Sequence, residues 1–339
     1  MTNREMTSGK LGRLFSTVAL FATVSAASCE SCDGGTGHGS GGGGGGTSSW
    51  LVGRGGLMLN MDEHGRMGRY PLETRGDLLA IACWGSSRAF VAGDGGLLMS
   101  TEDAGATWRS IDVGTQTRLR AVAIADNAHI FAAGDDGLFL VSPDWGWSWT
   151  TVPSPKVVWT AVAPRHDGQA ALLTTAGGDI YRYDGKELTL AAAGLASGLN
   201  AVAWSDDGLI AVAVGEGGAM LVSSDGGQRW RDRPSGTTRT LRDVWLIGAD
   251  GKSVYAVGDG GVLVRGWSET GGGVAPRSLG ENLVLRGLHL QASGHGAIVG
   301  DRGSMFVTHD FGDSWTPVET GDQRDIFSVD ALGADHQHL

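Results

Sequence analysis

Apolar residues in this chain come in short runs, each cut off by a cluster of Asp, Gly, Asn or Ser. The segment from Leu119 shows the pattern: LRAVAIA, then DNAH, IFAAG, DDG, LFLVS, PDWGWS and WTTV. Runs this short, rich in Ala, Val and aromatic residues and bounded by turn formers, predict four antiparallel strands joined by tight hairpins. Gly and Asp in the turns supply positive φ and side-chain capping of the local backbone.

The unit repeats. Aligned on the turn after the second strand, the copies are Gly53-Arg54-Gly55-Gly56, Gly93-Asp94-Gly95-Gly96, Gly134-Asp135-Asp136-Gly137, Thr175-Ala176-Gly177-Gly178, Gly215-Glu216-Gly217-Gly218, Gly258-Asp259-Gly260-Gly261 and Gly300-Asp301-Arg302-Gly303. Their first positions are 40, 41, 41, 40, 43 and 42 residues apart, a period that suits one four-stranded propeller blade. Neither end is a whole repeat. Ile326–Leu332 (IFSVDAL) reads as a first strand with nothing after it, and Trp50–Asn60 (WLVGRGGLMLN) as second and third strands with nothing before them. The expected fold is all-β, a seven-bladed β-propeller over residues 50–335. Six of its blades are whole and one is shared by the two termini, because a ring must close or leave unpaired strand edges.

The residues before the repeats follow a different logic. Arg4, Lys10 and Arg13 precede the apolar run Leu14 to Ala27, which ends in small residues, so residues 1–28 read as an export signal. Ala26-Ala27-Ser28-Cys29 resembles the lipobox of bacterial lipoproteins, which implies a lipidated Cys29 as the mature N-terminus. That family usually has Leu where Ala26 stands, so ordinary cleavage after Ala27 is the alternative. Residues 29–49, with the tract Gly34 to Ser49, read as a flexible spacer reaching roughly 20 Å. Localisation is accordingly expected at the membrane, as a periplasmic or cell-surface lipoprotein. Cys29 and Cys32 form a C-x-x-C without the βαβ context of a redox site, and Cys83, in an apolar strand, reads as a small buried hydrophobe.

Composition narrows the partners. Lys and Arg number 26 against 37 Asp and Glu, a formal charge of −11; without residues 1–28 the balance is 23 against 36. Nucleic acid is therefore excluded as an expected partner, since its affinity rests on Lys and Arg neutralising phosphates. An acidic body also resists self-association, favouring a monomer. The 58 glycines against 8 prolines fit many tight turns, with no three-residue collagen period.

A second pattern, Ser/Thr-x-Asp-x-Gly-x-Thr/Ser-Trp, occupies the third turn. It occurs at Thr101 to Trp108, Ser142 to Trp149 and Thr308 to Trp315, and at Ser223 to Trp230 with Arg229 in place of Thr/Ser. This is the Asp box, or bacterial-neuraminidase repeat, in phase with the blade period. Asp103, Asp144, Asp225 and Asp310 are expected to fold back onto turn amides, and Trp108, Trp149, Trp230 and Trp315 to pack between blades. Together with the A-V-G-D-G-G turn, the array resembles the propeller family of photosystem II stability/assembly factors over about residues 50 to 335. The resemblance implies a non-catalytic assembly platform that binds other proteins at a membrane, sometimes as a lipoprotein. A photosynthetic partner is not implied, and the missing boxes leave blades three and five degenerate.

Comparing repeats singles out two further sets. Arg120, Arg242 and Arg286 share one position at the start of the first strand, and each shares its blade with an acid at the second position of the turn after the second strand, Asp135, Asp259 and Asp301. Antiparallel pairing puts both places on one face of the disc, which predicts within-blade ion pairs around the channel mouth. Arg54, Asp94 and Glu216 complete a charged rim, which is either a solvated structural ring or a partner-binding face. Trp145 and Trp147 stand in one Asp-box loop where other copies have smaller residues or Phe, and are candidates for contact with a protein, a sugar or a lipid interface, or for packing against a neighbouring loop.

Catalysis is not expected, and neither is a cofactor. A sialidase needs an Arg cluster, a Tyr paired with Glu, and an Asp acid; Tyr70, Tyr181, Tyr183 and Tyr255 stand in no motif with Glu. No Gly-x-Ser-x-Gly, His-Glu-x-x-His or phosphate loop occurs. His336 and His338, in the tail 336–339, lack the further ligands a metal needs. The expectation is an exported binding scaffold for an envelope or membrane protein, the alternative a carbohydrate-binding or sialidase-like propeller.

Overall fold

The computed structural model describes residues 48–332 except 63, 127, 195–196, 248–252 and 267–274. The export signal, Cys29, Cys32, most of the spacer, and His336 and His338 lie outside the described residues. Seven four-stranded antiparallel sheets form a ring. Blade two has its strands at Leu119–Ile124, Ile130–Gly134, Phe139–Ser142 and Thr150–Thr151, ordered from the channel outward. Its outermost strand has only two residues, shorter than the run WTTV suggests. Numbering blades by their inner strands, blade one begins at Leu78–Trp84, three at Trp159–Pro164, four at Leu199–Trp204, five at Leu241–Ile247 and six at Leu285–Leu290.

Blade seven closes the ring as the chain ends predict. Its inner strand is Ile326–Leu332, followed outward by Ser48–Gly53, Leu57–Met61 and Met67–Arg69. The two termini pair antiparallel, with Trp50 opposite Asp330 and Leu51 opposite Val329. The seam strand is also fastened sideways: the Asp330 carboxylate accepts the Cys83 N–H of blade one at 2.8 Å and lies 2.8 Å from Nδ1 of His289 in blade six.

The core is divided among the interfaces between blades. Apolar clusters join blades one and two (Phe90 and Leu98 with Leu119 and Leu140), two and three (Phe131 and Phe139 with Trp159), and so on round to blades seven and one, where Trp50 and Met58 meet Leu78 and Ile81. This follows from the sequence pattern, because the second strand of each blade is buried on both faces and so reads as an apolar run. Cys83 is buried in the last of these clusters.

The turn glycines play two roles, one of which differs from the expected one. Positive φ falls at the third and fourth turn positions, as at Asp136 (φ 55°) and Gly137 (φ 78°). The first glycine is extended, and its need is space: a Cβ on Gly134 would stand 1.9 Å from the Arg118 carbonyl oxygen. That carbonyl accepts the Asp135 N–H at 3.0 Å, which pulls the turn against the entry of the inner strand.

Candidate functional site

Every inner strand makes the same irregularity one residue after its start. In blade two Leu119 pairs with Gly134 and Ala121 with Ala133, so Arg120 is an extra, unpaired residue. Leu79, Thr160, Asn200, Arg242, Arg286 and Phe327 are the corresponding residues of the other six blades. A bulge bends its strand and re-aims the extra side chain. Here all seven line one mouth of the central channel, a cavity of about 360 Å³ shared with Arg54, Asp77 and Arg118.

The bulges bring together the expected ion pairs. Arg120 Nε donates to Asp135 Oδ1 at 2.5 Å and Nη2 to Oδ2 at 3.4 Å; Arg242 Nε donates to Asp259 Oδ1 at 2.5 Å. Arg286 pairs with Asp301 in the same way. The side chains of these pairs are about a quarter to a third exposed, between 24% and 33%. Arg54 bonds to Asp325 within blade seven at 2.7 Å, and Arg118 bridges back to Asp94 of blade one at 2.6 Å. Glu216 is exposed on the equivalent turn of blade four. Where the arginine is missing the partner changes with it. Thr160 shares a hydrogen bond of 2.9 Å with Thr174, and Asn200 donates to the Leu241 carbonyl of the next blade at 2.8 Å. The Phe327 ring lies under two guanidiniums, 6.0 Å from Arg54 and 5.3 Å from Arg286.

Below the mouth the channel continues as a cavity of about 460 Å³ whose lining is asymmetric. Blades one to four place alanines at the two inner-strand positions after the bulge that face the next blade, such as Ala80, Ala121, Ala161 and Ala201. Blades five to seven place Asp243, Trp245, Gly287, His289, Ser328 and Asp330 there. The Asp243 carboxylate accepts the N–H groups of Val244 at 2.9 Å and Leu288 at 2.8 Å. Burial nevertheless pushes its pKa up to about 7, with the nearby Asp330 adding to the rise and the two amides and His289 opposing it. This cluster was missed in the sequence, although the break in the alanine column is a signal that repeat comparison can find.

Figures on the opposite face come from the loops between third and outer strands. Asp144 Oδ1 accepts the Ser148 N–H at 2.8 Å and Oδ2 its hydroxyl at 2.6 Å, while Ser142 Oγ accepts the Gly146 N–H at 2.8 Å. Asp103 and Asp310 make the same set with Thr107 and Ser314. At Asp225 the guanidinium of Arg229 takes the hydroxyl's place, at 2.7 Å. Hydrogen bonds from Ser314 hold the Asp310 pKa down at about 2. Trp108, Trp149, Trp230 and Trp315 are half-buried against the clusters at the blade interfaces. Trp145 and Trp147 part company. Trp145 is half-buried against the cluster between blades one and two, beneath the Arg88 guanidinium at 4.2 Å. Trp147 is 69% exposed, with the Arg109 guanidinium 4.5 Å above its ring.

With this geometry established, solved structures give the comparison. The fold is shared with YCF48. A structure of YCF48 bound to D1 peptide matches with a TM-score of 0.63 at 15% identity, covering 77% of this chain and 89% of that one. YCF48 from Cyanidioschyzon merolae matches with a TM-score of 0.57 at 20% identity, covering 73% and 86%. The WD40 β-propeller domain of Doa1 matches at 0.65 and 12%, covering 84% and 91%. At these identities the likeness is one of fold. No protein-family model and no curated protein matches the sequence. Among the described residues, no group of three or more His, Cys, Asp or Glu is placed to hold a metal ion.

Proposed function

We propose that this chain is a non-catalytic propeller scaffold of the Asp-box type, exported and held at the cell envelope, that binds a protein partner at the channel mouth. The observation that carries the reading is the ring of seven bulges. It presents Arg120, Arg242 and Arg286 at one opening, each braced by a carboxylate on Nε. Exposed pairs of this kind contribute only about 0–1 kcal/mol each, so fold stability is a weak reason for three of them. A braced arginine that keeps further N–H groups is suited to accept carbonyl or carboxylate oxygens of a peptide. YCF48, a similar propeller, has been captured with a peptide, which supports a peptide-like partner for this one. The lipobox-like Ala26 to Cys29 and the glycine-rich spacer support the envelope location.

The glycan-binding alternative uses Trp145, Trp147 and the charged rim. Of its two indoles Trp145 is packed at a blade interface and Trp147 is exposed, so the protein-binding reading has the better support. Crosslinking in the native envelope followed by mass spectrometry identifies the partner. Arg120→Glu combined with Arg242→Glu is expected to abolish the crosslink at low salt, because both charge reversals face the mouth; a crosslink of unchanged yield refutes the rim as the binding face.

A further inference from the structure

We propose that the face opposite the arginine rim docks directly on the headgroup region of a lipid bilayer; this rests on the envelope reading above. Strand direction decides which face the tether meets. Each inner strand runs from the rim to the opposite face, and in blade seven Ser48 pairs with Leu332 at the far end of the seam. The preceding chain, with Cys29 nineteen positions upstream, therefore joins the body on the face away from the rim.

That face carries three of the four exposed large apolar side chains among the described residues. Among the described residues four large hydrophobics are exposed: Trp147 (69%), Leu209 (56%), Leu190 (54%) and Phe311 (43%). Leu190 sits on the outermost strand of blade three, on the side wall of the disc. The other three occupy loops at the face opposite the rim, in blades two, four and six. Single exposed hydrophobics are ordinary on a surface, but three on alternate blades of one face can meet one plane together. Trp147 also brings a cation, since Arg109 lies over its ring and Arg88 lies over Trp145 beside it. An indole with a guanidinium stacked over its face suits the boundary between acyl chains and phosphates, where aromatic and basic residues concentrate. Tethering raises the effective concentration of the face at the membrane, so weak contacts suffice. The rim is then held outward, toward the partner.

The test uses the full chain with vesicles of phosphatidylethanolamine and phosphatidylglycerol whose acyl chains are brominated. The chain is expected to sediment with the vesicles, and the emission of Trp147, read as the difference between wild type and Trp147→Phe, is expected to be quenched. Leu209→Ser with Phe311→Ser is expected to reduce that quenching, and Leu190→Ser to leave it unchanged. All four substituted side chains are exposed, and near-ultraviolet circular dichroism confirms that each variant is folded. A Trp147 signal that brominated lipid leaves intact, on a chain that still sediments, overturns the docking face and leaves the envelope reading standing. A chain that stays in the supernatant overturns both. Binding of the chain to a glycan array that Trp147→Ala abolishes, together with an unquenched signal, overturns the lipid assignment in favour of a saccharide.

Discussion

At the residue scale, two kinds of aspartate pull acid and alkaline stability in opposite directions. Asp310 is held at about pKa 2 by the amide and hydroxyl of Ser314, with Thr308 contributing. A depressed carboxylate stabilises the fold above its unfolded pKa, and that stability is lost as pH falls from about 4 toward 2. Asp310→Ala is expected to lower stability by about 1–2 kcal/mol in denaturant titrations at neutral pH, since it strands the Ser314 amide and the Thr308 hydroxyl. Asp243 is the reverse case. Its pKa is raised to about 7, so its contribution is fully present below about pH 4 and lost as pH rises through 7. Thermal midpoints measured from pH 5 to pH 8 should therefore fall with pH in the wild type, and Asp243→Asn should flatten that slope. The first kind was legible in the sequence because its partners lie within four residues. The second depends on Leu288, His289 and Asp330, which only the closed ring brings near.

At the scale of the element, the unit is the inner strand with its bulge and the turn beside it. Gly134→Ala is expected to destabilise by about 3 kcal/mol, because its Cβ meets the Arg118 carbonyl oxygen and neither backbone can yield without opening the bulge. Gly217→Ala sets the comparison. Its Cβ meets open space, and the positive φ of 64° alone sets a cost of about 1 kcal/mol. Equal losses for the two in urea titrations would contradict this account. The glycine columns were visible in the sequence, but their reasons were not, since an extended glycine and a left-handed one are the same letter. Arg120 and its equivalents were placed correctly at the mouth by repeat comparison. Thr160 falls at the same repeat position in the sequence, whereas Leu79, Asn200 and Phe327 were missed there, because their chemistry differs while their backbone does not.

At the scale of the molecule, stability is shared among interfaces, so the seam matters as much as any blade. Trp50, Leu51, Val52, Leu57, Met58 and Leu59 are all buried, none more than 3% exposed. At roughly 2 kcal/mol each their burial approaches the whole stability of an ordinary domain. Deleting Trp50 to Asn60 is expected to abolish the cooperative thermal transition, because it strips the faces of blades six and one at once. A deletion variant that melts like the parent would sink the closure by the termini. Asp330→Ala should act in the same direction more weakly, freeing the Cys83 amide and the His289 ring that flank the seam strand.

What the sequence by itself determined was periodic: seven turns at a constant spacing, strands buried on both faces, two incomplete ends that make one blade, and arginines in register with acids. Local hydrogen-bonding chemistry and the alternation of apolar and turn residues write these features directly into the order of residues. Only the tertiary structure decided what happens between blades. It set the bulge that turns the second residue of each inner strand into the channel mouth, the polar sector of Asp243, His289 and Asp330, and the separate fates of Trp145 and Trp147. Those depend on contacts between residues about forty positions apart, or more than two hundred in the case of Cys83 and Asp330, and such distances close only when the ring does.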